Sequence, residues 1–164
     1  MPKYVIAVIG ASDASEEELS AAEQIGEIVA QAGCILVCGG LGGVMEAAAR
    51  GAKKNNGFVV GILPSRRKSD ANPFVDFALP TGMNEARNFL VVAGADAAIA
   101  VGGGLGTLSE IALALKLGIP VISLFSWRLE ENRLSGVEYI EAKDAQDAVK
   151  KALKAIEKGA TRWA

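Results

Sequence analysis

The sequence predicts an α/β fold, a Rossmann-like open parallel sheet of six or seven strands with helices on both faces. Three observations carry that expectation. Short apolar runs alternate with stretches of helical period along the whole chain. The apolar residues, 51% of 164, are mostly Ala, Val, Ile and Leu, with 5% aromatics and 19 glycines, a mixture suited to helices packed closely on a sheet buried on both sides. Glycine clusters follow the apolar runs, at the points where strands turn into helices. The length suits one hydrophobic core, so residues 1–164 are expected to form a single domain.

In chain order, residues 4–9, 35–38, 58–62, 97–101, 121–125 and 137–140 read as strands. The first helix opens on a capping box, Ser15 with Glu18 three residues on. Its apolar face recurs at Leu19, Ala22, Ile25 and Val29, and Gly33 ends it. Further helices are expected over residues 44–55, 85–93 with Asn84 as N-cap, 108–117 and 145–157. The last carries Ala145, Ala148, Val149, Ala152, Leu153 and Ile156 on one stripe, which reads as a lid on the core. Residues 64–80 read as a polar connection long enough to be a flap. Right-handed crossovers place the strand C-termini on one edge, and ligands of such sheets bind there, where the strand order reverses.

Several function classes drop out. The formal charge of −2 argues against nucleic acid as a partner. No apolar run reaches membrane-spanning length and the chain leads from Met1 directly into a strand pattern, so a cytoplasmic protein with no membrane partner is expected. There is no histidine, which removes every histidine-dependent triad. Cys34 and Cys38 bracket an apolar strand on one face and read as small buried hydrophobes, so no metal site is expected and no cofactor is required. The turn from Gly10 through Ser12 and Asp13 to Ser15 lacks the dinucleotide fingerprint G-x-G-x-x-G, and the chain has no G-K-[ST] phosphate loop.

Two glycine turns remain. Gly39, Gly40, Gly42 and Gly43 follow the second strand, with Met45 just inside the next helix; Gly102, Gly103, Gly104 and Gly106 with Thr107 follow the fourth. Glycine lets the backbone approach a ligand closely, and successive amides at a helix N-terminus can surround phosphate without a lysine. Tight turns and close helix packing would use the same residues. Thr107 with Glu110 is a capping-box pattern, and it also sets a carboxylate beside the expected ligand, where the helix dipole should keep it ionised. Arg87 falls in a first helical turn, which the dipole disfavours, so an anion should compensate: Glu85 next to it, Glu110 across the cleft, or a ligand phosphate. Ser12 and Asp13 share this edge, either as a turn before the Ser15 cap or as ligand contacts. Arg66, Arg67 and Lys68 are either a solvated run or a cover over a phosphate. Trp127 and Trp163 read as packing or interface residues.

Three segments in order, VCGGLGGVMEAA at residues 37–48, GMNEARN at 82–88 and GGGLGTLSEI at 102–111, resemble the SLOG superfamily of LONELY GUY proteins and molybdenum cofactor carrier proteins, over residues 4 to 125. The LONELY GUY branch implies a nucleoside 5'-monophosphate phosphoribohydrolase, in which Glu110 and Arg87 match the catalytic positions. Here Gly102 stands for that branch's proline, and the segment corresponding to M-H-x-R-K lacks its histidine and lysine. The chain looks more like the carrier branch, also in Ala71-Asn72-Pro73 and in Arg87-Asn88. That resemblance implies binding of a phosphorylated nucleotide-like ligand, a nucleoside monophosphate or the molybdenum cofactor, and a homodimer or homotetramer with helices near the glycine turns at its interface. Lysine decarboxylation, a label attached to some relatives, needs a pyridoxal phosphate lysine for which this sequence has no setting.

Overall fold

The computed structural model describes residues 4–159. Strands β1 (Val5–Gly10), β2 (Ile35–Cys38), β3 (Val59–Leu63), β4 (Phe77–Pro80), β5 (Ala97–Val101), β6 (Val121–Leu124) and β7 (Tyr139–Glu141) form one sheet in the order β4-β3-β2-β1-β5-β6-β7. Every pairing is parallel. Helices α1 (Glu16–Gln31), α2 (Val44–Lys54) and α5 (Ala145–Lys158) cover one face; α3 (Asn88–Ala93) and α4 (Leu105–Lys116) cover the other. Side chains alternate along the strands: Ile6 and Val8 of β1 join the first core layer, Ala7 and Ile9 the second.

The expected elements form, with changes at their ends. α1 starts at the Ser15 capping box, with Ser15 Oγ accepting from the Glu18 amide at 3.2 Å and the Glu18 carboxylate accepting from the Ser15 amide at 2.9 Å. α5 buries the foreseen stripe, with Ala155 added and Leu153 only partly covered. The connection over residues 64–80 is not wholly a flap, because its end pairs with β3 as the edge strand β4, and a short 3-10 turn (Lys68–Asp70) precedes it. Only every second residue of Phe77–Pro80 is partly covered, so the weak alternation of a short edge strand gave little signal. Trp163, expected to pack or to lie at an interface, is outside the described residues.

The strand order reverses between β1 and β5: β2, β3 and β4 lie on one side of β1, and β5, β6 and β7 on the other. The chain leaves these two central strands toward opposite faces, and this opens a crevice beyond their C-terminal ends. α1 and α2 pack closely enough that a methyl group on Gly26 would overlap the Ala48 carbonyl, and one on Gly51 the Glu23 carbonyl. That contact sets the position of α2, and its first residue is held at the crevice by the Val44 amide, which donates to the Ala11 carbonyl at 3.0 Å.

Candidate functional site

The crevice at the reversal point is a cavity of about 370 Å³. Of the residues expected at a site, Gly10, Ser12, Met45, Arg87, Asn88, Gly104, Gly106, Thr107 and Glu110 line it. Gly39, Gly40, Gly42, Gly43 and Gly103 are not part of the lining itself. Gly39 abuts the functional side chains, since a Cβ there would overlap Arg87 Nη1 and crowd Met45 Sδ. Gly43 takes φ +64° as the N-cap of α2, where a Cβ would overlap the Ala11 carbonyl. Ala11, Leu41, Pro64, Asn84 and Glu85 also line the cavity. Leu41, Asn84 and Glu85 lie within the segments the sequence singled out but were not expected as lining, while Ala11 and Pro64 carried no motif of their own.

At the second turn, Gly102 (φ +54°) and Gly103 (φ +99°) adopt backbone conformations that disfavour any side chain, and Gly104 caps α4 without a side-chain hydrogen bond. α4 therefore begins at Leu105, earlier than the pattern at residue 108 suggested. Thr107 and Glu110 are inside the helix, and the capping-box expectation for this pair is overturned. The first backbone acceptor is reached at Leu108, whose amide donates to the Gly104 carbonyl at 3.0 Å. Among the described residues, the amides of Gly103, Gly104, Leu105, Gly106 and Thr107 have no intramolecular acceptor.

Arg87 does not sit in the first turn of a helix capped by Asn84. Asn84 adopts φ +49° and opens a 3-10 turn (Asn84–Arg87), and α3 follows. The guanidinium still stands at a helix start, since Arg87 is the N-cap residue of α3, and desolvation adds to that cost: Arg87 is only 8% exposed, and burial lowers its pKa against the attraction of Glu110. Its Nη1 donates to the Ile62 carbonyl at 2.8 Å, while its buried Nε has no partner. Such an unpaired charged donor is expensive unless an anion supplies the acceptor.

Glu110 is 7% exposed, and no group among the described residues hydrogen-bonds its carboxyl. Burial pushes its pKa up to about 7, against the pull of Arg87. The expectation of a permanently ionised carboxylate is therefore corrected. With α4 beginning at Leu105, Glu110 lies beyond the first turn, where the helix end no longer offsets desolvation. Cys38 lies close behind these groups; full burial raises its thiol to about 11 despite the Gly40 amide and Arg87. Among the described residues, no group of three His, Cys, Asp or Glu side chains is placed to hold a metal ion.

Asn88 donates through Nδ2 to Ser109 Oγ at 3.1 Å, which ties α3 to α4 across the cavity rim. The basic run takes no part in the cavity lining: Arg67 pairs with Asp70 at 3.2 Å, and Arg66 packs on Gly82. Asn72 was missed as a structural partner of the site. It is 9% exposed, its amide donates to the Gly40 carbonyl at 2.9 Å, and its Nδ2 donates to the Leu41 carbonyl at 2.9 Å.

A model of the SLOG cluster4 family matches residues 3–155. An uncharacterized protein of Archaeoglobus fulgidus is 53% identical over 119 residues, 73% of this chain and 78% of that protein. Among solved structures, the molybdenum cofactor binding protein from the phototrophic bacterium Rippkaea orientalis aligns with a TM-score of 0.89 and 39% identity, over 95% of this chain and 99% of that one. The molybdenum cofactor carrier protein from Chlamydomonas reinhardtii aligns with a TM-score of 0.82 and 32% identity, over 94% and 99% of the two chains.

Proposed function

The chain belongs to the SLOG cluster4 family, and from that premise we propose that it binds and carries a phosphorylated, nucleotide-like small molecule in the crevice between α2 and α4. The observation that carries this reading is the buried Arg87 Nε without an acceptor, in a cavity shared with the unpaired amides at the start of α4. One phosphate would satisfy both through charge-assisted hydrogen bonds. The two similar solved structures, named for binding or carrying the molybdenum cofactor, favour that cofactor as cargo. Phosphoribohydrolysis has less support, because the carboxylate it would need ionised beside a forming cation is half protonated near neutral pH.

Thermal unfolding with AMP and with adenosine tests the phosphate reading. AMP should raise the melting temperature and adenosine should leave it unchanged; equal effects of the two would remove the phosphate from the site. Mass spectrometry of small molecules released from the purified protein would identify the cargo. Self-association belongs to the same reading: Met83, Phe89 and Leu90 around α3 and Leu105 at the start of α4 are exposed apolar side chains beside the crevice. Light scattering after gel filtration should give the mass of a dimer or tetramer, and a monomeric mass would exclude it.

A further inference from the structure

The loop after β6 is built in a costly way. Phe125 takes φ +56°, a left-handed conformation unfavourable for a bulky side chain, and it turns the chain so that the next two residues reach the glycine turn before α4. Ser126 Oγ donates to the Gly102 carbonyl at 2.6 Å, and Trp127 Nε1 donates to the Gly104 carbonyl at 3.1 Å. The loop is held in turn by Tyr139, whose hydroxyl donates to the Trp127 carbonyl at 2.6 Å. The Gly102 amide donates to the Leu124 carbonyl at 2.9 Å, so the turn and the loop are joined at both ends.

These contacts matter because a trans peptide is planar, with its C=O and N–H pointing in opposite directions. Fixing the Gly102 carbonyl fixes the direction of the Gly103 amide, and fixing the Gly104 carbonyl fixes that of the Leu105 amide. Both amides are among those left without an intramolecular acceptor. Gly102 and Gly103, at positive φ, would otherwise let the first of these planes rotate and swing a carbonyl dipole toward the anion, while the second, whose carbonyl also accepts from the Leu108 amide, gains a further hold from Trp127. We infer that Ser126 and Trp127 are positioning residues which, from outside the phosphate contacts, hold the peptide planes of residues 102–105 so that their amides face a bound phosphate. The other glycine turn has a counterpart: Asn72 holds the Gly40 and Leu41 carbonyls, and the amides of Leu41 and Gly42 have no intramolecular acceptor among the described residues.

The inference rests on the anion-site reading above, and one set of titrations separates the two. Calorimetric affinity for inorganic pyrophosphate and for AMP is measured on the wild type, Trp127→Phe, Ser126→Ala and Ser126→Thr, with the melting temperature of each. Trp127→Phe keeps an aromatic ring, smaller than the indole, and loses the N–H; Ser126→Thr keeps the hydroxyl. Trp127→Phe and Ser126→Ala should each weaken binding about fivefold or more at nearly unchanged melting temperature, while Ser126→Thr binds as the wild type does. Wild-type affinity in both weakened candidates, or a loss of affinity that only follows a loss of stability, overturns the positioning role. If Trp127→Phe does not fold, Ser126→Ala against Ser126→Thr decides. Absence of pyrophosphate and AMP binding by the wild type overturns the anion site itself, and the inference falls with it.

Discussion

At the scale of single residues, the crevice is a place where two ionisable side chains are buried short of partners. Glu110 is protonated in the folded protein over a pH range in which the unfolded chain has already lost that proton, because its pKa rises from 4.5 to about 7. The folded state binds more protons across that interval, so stability from this group is full below about pH 4.5 and falls as pH rises through about 7. The loss is on the order of 3 kcal/mol. Denaturant unfolding at a series of pH values should show this decline in the wild type and a flatter profile in Glu110→Gln; identical profiles would contradict it. An anionic ligand adds repulsion against the ionised form, so AMP binding should weaken over the same range and do so less in Glu110→Gln. Gly39→Ala should act on Arg87, since the added methyl group overlaps the Nη1 that holds the Ile62 carbonyl. AMP affinity measured by calorimetry should fall about tenfold, in keeping with displacement of a charged hydrogen-bond donor.

At the scale of elements, the site depends on where two helices begin. α2 and α4 both start at glycines without side-chain caps, Gly43 and Gly104, whereas α1 and α5 start at Ser15 and Asp144 with capping hydrogen bonds. The uncapped ends are the ones that meet at the crevice, where a ligand can satisfy what a cap would have satisfied. The position of α2 is set by its contact with α1, so Gly51→Ala should force the two helices apart. Chemical denaturation should show a loss of about 1–3 kcal/mol, the usual range for overpacking, with AMP affinity reduced as well because the start of α2 moves. Retention of wild-type stability would mean that the helix pair yields without strain. The elements themselves could be read from periodicity and caps, while their ends could not. Thr107 and Glu110 have the spacing of a capping box and nevertheless lie inside α4, because the positive φ values of Gly102 and Gly103 let the helix begin sooner. β4 was hidden in a polar connection, since an edge strand of four residues gains its structure from pairing with β3 more than from its own pattern.

At the scale of the whole molecule, the parallel sheet brings together residues far apart in the chain: Arg87 arrives before β5, Glu110 after it, and Met45 after β2. Ligand binding at such a junction should stabilise the entire domain, by about 2.7 kcal/mol at a hundredfold excess over Kd. For a chain of this length that corresponds to roughly 5–10 °C in the AMP thermal-shift experiment. The sequence by itself determined the fold class, the two glycine turns and the pairing of Arg87 with Glu110 as candidates, because hydrophobic period, glycine and charge are local properties written residue by residue. Tertiary structure alone decided the protonation of Glu110, the unpaired Nε of Arg87, and the hold of Asn72, Ser126 and Trp127 on the glycine carbonyls. Desolvation and hydrogen-bond geometry arise from groups that folding brings together, and no spacing along the chain records them.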